Sequence, residues 1–139
     1  MVARRVFSRH PVLGDTAVCP YNEPARAHAL IAAHAHELAA VIVEPVLGSM
    51  GMIAATQEFL TTLREVAARH GIVLIFDEVI TLRLSEGGAQ KNYGVTPDLT
   101  CMGKIIGGGL PVGGVGGDRA LMQLFSPEQK RPVMHASTF

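Results

Sequence analysis

Lys104 is the lone charged side chain in "TCMGKIIGGGLPVGGVGG", Thr100 to Gly117, and three consecutive glycines follow it closely. Lysine is rarely buried without a partner, and triple glycine is a poor filler for a helix or a strand. Phosphate binding is the first chemistry to test. A Walker loop needs a glycine five residues before the Gly-Lys pair and a hydroxyl after it; here those positions are Asp98 and Ile105. The dinucleotide spacing of glycines, started from Gly107, ends on Val112, and no other start succeeds. Gly48-Ser49 lacks the flanks of a nucleophile elbow, and His36-Glu37 lacks a second histidine at Ala40. His34 and His36, two apart, fall on different sides of a helix and do not make a metal pair.

What remains is amine chemistry. A lysine in an apolar pocket loses part of the stabilisation of its ammonium form, and the neutral amine attacks carbonyls to give a Schiff base. The commonest use of that reaction is to hold pyridoxal phosphate, whose ring nitrogen needs a carboxylate to stay protonated. Asp77, which ends the apolar run "IVLIFD", is a candidate for that carboxylate. Glycines beside the lysine would let backbone approach a flat cofactor without a Cβ in the way.

The elements that must position these groups are legible in outline. Residues 1–23 read as irregular, punctuated by Pro11, Gly14, Pro20 and Asn22. "PARAHALIAAHAHELA" from Pro24 suits a helix, and "AVIVEP" after it a short buried strand stopped by Pro45. A loop with Gly48 and Gly51 leads to "TQEFLTTLREVAARHG". There Phe59, Leu60, Leu63, Val66 and Ala67 share one helical face, Thr56 can cap the start, and Gly71 can end it. Glu65 and Arg69 have the spacing of an i,i+4 pair. "IVLIFDE" is a further strand, "DLTCMG" and "PVGGVGG" are two short ones, and "DRALMQLF" is a last helix. Strand, helix, strand with near-continuous apolar strands predicts an α/β fold, a mostly parallel sheet covered on both faces. Ligands in such sheets sit beyond the carboxyl ends of the strands, which singles out Glu44, Asp77 and Lys104.

Composition narrows the function classes. The 139 residues suit one domain, and 48% apolar against 17% charged side chains can bury a core. Twelve basic and twelve acidic groups cancel, leaving no electrostatic footprint for nucleic acid or an anionic membrane. Cys19 and Cys101 have no metal-ligand spacing and suit a reducing, cytoplasmic setting. "MVARRVFSRHPVLGD" lacks the apolar stretch of a signal peptide, and no run is long enough to span a membrane.

Taken together, "VIVEPV", "LIFDEV", "GGAQKNYGVTPDLTCMGKIIGGGLPVGGVGG" and the terminal "HASTF" resemble class III pyridoxal-phosphate-dependent aminotransferases. The resemblance runs from about Tyr21 to Phe139 and is nearest to the glutamate-1-semialdehyde 2,1-aminomutase and β-amino-acid transaminase subgroup. It implies part of the large, three-layer αβα domain of fold type I, over residues 24–139. It also implies transaminase or aminomutase chemistry on a small amino acid or amino aldehyde, in a homodimer. Lys104 would form the Schiff base with the cofactor and shuttle the proton. Asp77 would pair with the pyridine nitrogen, and Val79 would pack on a face of the ring. Thr138 would reach the cofactor phosphate of the neighbouring subunit, and Glu44 would play a supporting part. "ITLRLSEGG" is one residue shorter than the aminomutase pattern and leans to the transaminase side, with Ile80 where many of the class carry glutamine. Members of the class are several-fold longer. Neither the phosphate-cradling loop nor the ring-stacking aromatic precedes these motifs, "MVARRV" bears no trace of that loop, and no small C-terminal domain follows. The chain therefore reads as an internal fragment of the cofactor-binding domain. The alternative is a non-catalytic remnant of the same family.

Overall fold

The structure is a computed structural model that describes residues 16–133. Its core is built by two helices, α1 (Pro24–Ala33) and α2 (Gln57–His70), against a four-stranded sheet of β1 (Ala40–Val43), β4 (Val73–Asp77), β5 (Leu99–Met102) and β6 (Gly114–Gly117). The strand order is β1-β4-β5-β6, parallel across the first three and antiparallel at β6. β2 (Val46–Leu47) and β3 (Ile53–Ala54) form a separate small hairpin in a stretch read from the sequence as plain loop. Two short helices complete the chain, α3 (Gly88–Tyr93) and α4 (Arg119–Gln123). No helix among the described residues is long and apolar enough to cross a membrane.

Helix α2 forms as its pattern dictates. Thr56 Oγ1 accepts the Phe59 amide at 3.2 Å, and Gly71 closes the helix in the left-handed conformation. The stripe Phe59, Leu60, Leu63, Val66 and Ala67 is buried against Leu74 and Phe76 of β4 and Val43 of β1. Among the described residues, the ion pair on this helix is not Glu65–Arg69 but Arg64–Asp98, at 3.0 Å. Helix α1 ends at Ala33, earlier than its composition suggests. A turn in which the Glu37 and Leu38 amides bond His34 O redirects the chain, because β1 must begin at Ala40 beside β4.

Strand alternation sends Leu74 and Phe76 to the helices and Ile75 and Asp77 to the opposite face. That opposite face is open at β1, where Ile42 is 64% exposed although its neighbours read as a fully buried strand. The antiparallel course of β6 has a simple cause. No crossover element separates it from β5, and a direct return brings the chain back antiparallel. The reversal is made by Gly108 and Gly109, both at positive φ with nothing crowding a would-be Cβ. Turn geometry among the described residues, rather than close approach, accounts for those two glycines.

Candidate active site

The parallel register brings the carboxyl ends of β1, β4 and β5 side by side. Val43 pairs with Phe76, so Glu44 and Asp77 leave adjacent strands at the same level; Asp77 pairs in turn with Cys101. Lys104 lies three residues beyond Cys101, just past the end of β5. The three charges singled out from the sequence thus lie along one edge of the sheet, in the order Glu44, Asp77, Lys104.

Lys104 sits at φ 45°, in the left-handed region, at the start of a 3-10 turn spanning Lys104–Gly107. A non-glycine residue held there costs on the order of 1–2 kcal/mol and persists only where its surroundings enforce it. Its amine is exposed and has no hydrogen-bond or ion-pair partner among the described residues. Gly103, immediately before the turn, is buried in extended backbone. A Cβ at Gly103 would stand 3.3 Å from both methyl groups of Val79, closer than ordinary packing allows. Val79 and Lys104 line the same cavity, of about 510 Å³, together with Ile80, Arg83 and Ile105.

Asp77 Oδ1 accepts the Val79 amide at 3.0 Å, which fixes the carboxylate in the turn that leaves β4. Oδ2 has no partner among the described residues. The adjacent Cys101 thiol is pushed up from its ordinary pKa, first by burial and then by the negative charge of Asp77. Glu44 is used locally: Oε2 accepts the Gly48 amide at 3.0 Å, tying the end of β1 to the residue that follows β2. Glu44 and Asp77 line a second cavity, of about 630 Å³, with Val18 and Cys19 and with Ile42 of β1, the outermost strand among the described residues. The site residues therefore divide, Lys104 and Val79 on one cavity and Asp77 and Glu44 on the other. Thr138 lies outside the described residues.

Sequence reasoning missed three residues that shape this region. Glu78 is fully buried beside Asp77, and Arg83 enters the Lys104 cavity from the 3-10 turn Leu82–Leu84. Asp98 holds the opposite end of the sheet: its Oδ2 accepts the Leu74 amide at 2.7 Å while pairing with Arg64. Of these, only Asp98 left a usable signal, a carboxylate after proline immediately before an apolar strand.

The aminotransferase class-III family model matches residues 12–139. Glutamate-1-semialdehyde 2,1-aminomutase of Nitratidesulfovibrio vulgaris is 54% identical over 114 residues, covering 81% of this chain and 27% of that protein. Among solved structures, an omega-transaminase from Sphaerobacter thermophilus superposes with a TM-score of 0.87 at 50% identity, over 92% of this chain and 30% of that one. A transaminase with PLP bound superposes with a TM-score of 0.85 at 38% identity, over 91% and 30% respectively. The chain spans under a third of the length of these relatives. With nearly its whole length matched, and the same fold at high identity, the chain belongs to the class III aminotransferase family.

Proposed function

We propose that this chain carries the lysine-bearing part of a pyridoxal-phosphate-dependent transaminase or aminomutase acting on a small amino acid or amino aldehyde. The observation that carries the reading is Lys104: an amine with no partner among the described residues, held at φ 45° at the carboxyl end of β5, beside the strand that ends in Asp77. The residues present fit the cofactor in kind. Asp77 keeps Oδ2 available for a ring N–H, and Val79 offers an apolar flank next to the close-packed Gly103.

When bound, pyridoxal phosphate supplies an aldehyde for capture by an amine and a ring that stabilises negative charge on the substrate carbon. Lys104 Nζ would hold that aldehyde, then take and return the proton at the substrate carbon. Asp77 would keep the ring nitrogen protonated, helped by the Val79 amide, which fixes the orientation of its carboxylate. Glu44 would act indirectly, by holding the chain from β1 through β2 to Gly48 in place. Residues 24–139 would form part of the cofactor-binding domain, with 1–23 as an irregular lead-in. In the complete enzyme Thr138 would serve the cofactor phosphate of the neighbouring subunit of a cytoplasmic homodimer.

A second reading, favoured by the exposed Ile42 face and the cavity along β1, is that this chain by itself is a non-catalytic remnant. One experiment separates them. Purified chain incubated with pyridoxal phosphate should gain a visible absorbance band, and borohydride should fix the cofactor to Lys104; Lys104→Ala should show neither. A colourless wild-type chain with no cofactor-induced thermal stabilisation would support the second reading.

A further inference from the structure

Glu78 follows Asp77 directly, yet its side chain is 0% exposed. A carboxylate withdrawn from water is tolerated only where donors replace the water it loses. Here the donors are neutral. Thr81 Oγ1 donates at 2.9 Å, the Ala89 amide at 2.6 Å, the Gln90 amide at 3.1 Å and Gln90 Nε2 at 3.2 Å. An ionised carboxyl offers acceptors only, so it suits four inward-pointing donors; an amide in its place would turn N–H towards N–H. Gly88 completes the fit. It sits at φ 68°, and a Cβ there would come within 2.5 Å of Glu78 Oε2.

These bonds join the two ends of one connection. The segment from Val79 to Gly88 leaves Glu78 and is tied back onto the same carboxylate by Ala89 and Gln90, while the Leu82 amide bonds Glu78 O at 2.9 Å. The connection carries Val79, Ile80 and Arg83, which line the Lys104 cavity together with Ile105. The network also reaches the strand that leads to Lys104. The Glu78 amide bonds Cys101 O at 3.0 Å, and Gln90 Nε2 donates to Thr100 Oγ1 at 3.2 Å.

We propose that Glu78 is a positioning residue for the Lys104 site, locking the Val79–Gly88 connection against β5 so that Val79 and Arg83 face the lysine. The functional side of this proposal rests on Lys104 being the residue that holds the cofactor. It is tested on the full chain with Glu78→Gln, and with the milder Thr81→Val, which removes one donor at equal volume. Two measurements need no cofactor: amide hydrogen exchange, and the NMR cross-peak between the Val79 methyls and Gly103. A third reads the lysine itself, by mass spectrometry after pyridoxal phosphate and borohydride treatment, with Lys91 and Lys130 as internal references.

In Glu78→Gln, exchange over 79–90 should rise about tenfold, as for the local loss of a charged hydrogen bond, while residues 57–70 stay unchanged. The Val79–Gly103 cross-peak should weaken, and the preference of the label for Lys104 should fall several-fold. Thr81→Val should move each quantity the same way by less, and it decides the matter alone should Glu78→Gln fail to fold. Uniform acceleration of exchange throughout the chain, or an unchanged Val79–Gly103 cross-peak, overturns the proposal. A wild-type chain that labels Lys104 no more than Lys91 or Lys130 counts against the proposed function, while the exchange and cross-peak results still decide the role of Glu78.

Discussion

Lys104 combines two properties that seldom meet in one residue: an amine without a partner among the described residues and a backbone in the left-handed region. The first leaves the nitrogen available, and the second sets the direction in which the side chain leaves the backbone. The strain has a measurable consequence. Lys104→Gly should be more stable than Lys104→Ala by about 1 kcal/mol, because only glycine occupies this φ without steric cost. Chemical denaturation of the two variants checks it, and equal stabilities would mean that the turn relaxes to negative φ. Asp77 and Cys101 illustrate the same economy. One strand register sets the carboxylate beside the thiol, and its charge adds to burial in keeping that thiol protonated.

At the level of elements, the site depends on β4 and β5 keeping their register, since a shift of one residue would turn Asp77 to the helix-covered face. Asp98 is the clamp. Its amide bonds Leu74 O at 2.8 Å, its carboxylate receives the Leu74 amide, and Arg64 ties both to α2. Asp98→Ala should cost about 2 kcal/mol, the range for a partly buried hydrogen bond to a charged group, with Asp98→Asn intermediate. Thermal unfolding of the three proteins checks the order. The helix that receives this clamp was readable in advance, through its cap at Thr56, its stop at Gly71 and its apolar stripe. The clamp itself was not, because the partner of Arg64 is distant in sequence and local spacing pointed to Glu65–Arg69 instead.

For the molecule as a whole, one phenol joins the segment before α1 to the carboxyl end of β1. Tyr21 OH donates to Glu44 O at 2.9 Å and Pro45 O at 3.2 Å, and its ring meets Phe59 with centroids 5.1 Å apart. Burial pushes its pKa up from 10.0 to about 12, with smaller contributions from Tyr93 and Glu44. A folded-state pKa above the unfolded one contributes stability that is complete below pH 10 and disappears as pH rises towards 12. Wild type should therefore exceed Tyr21→Phe in stability by about 1 kcal/mol at pH 8, and that margin should shrink across pH 10–12. Urea unfolding of both proteins at several pH values measures the margin; a constant difference would show that the phenol is not held protonated by the fold.

The lysine, the aspartate that ends "IVLIFD" and the strand-helix-strand order were determined by the sequence itself, because apolar period, caps and strand-ending charges are local properties. Tertiary structure alone decided which strands are neighbours, and so which charges share an edge. It also decided that β6 returns antiparallel, that α1 stops at Ala33, and that Glu78 turns inward while Asp77 faces the open side of the sheet. Those outcomes depend on groups far apart in the chain competing for one core and one set of hydrogen bonds. The pair Asp77-Glu78 shows the difference most directly. As sequence it is two adjacent carboxylates; in the folded chain Asp77 ends β4 on the open side of the sheet, and Glu78, just past the strand, is buried under four donors.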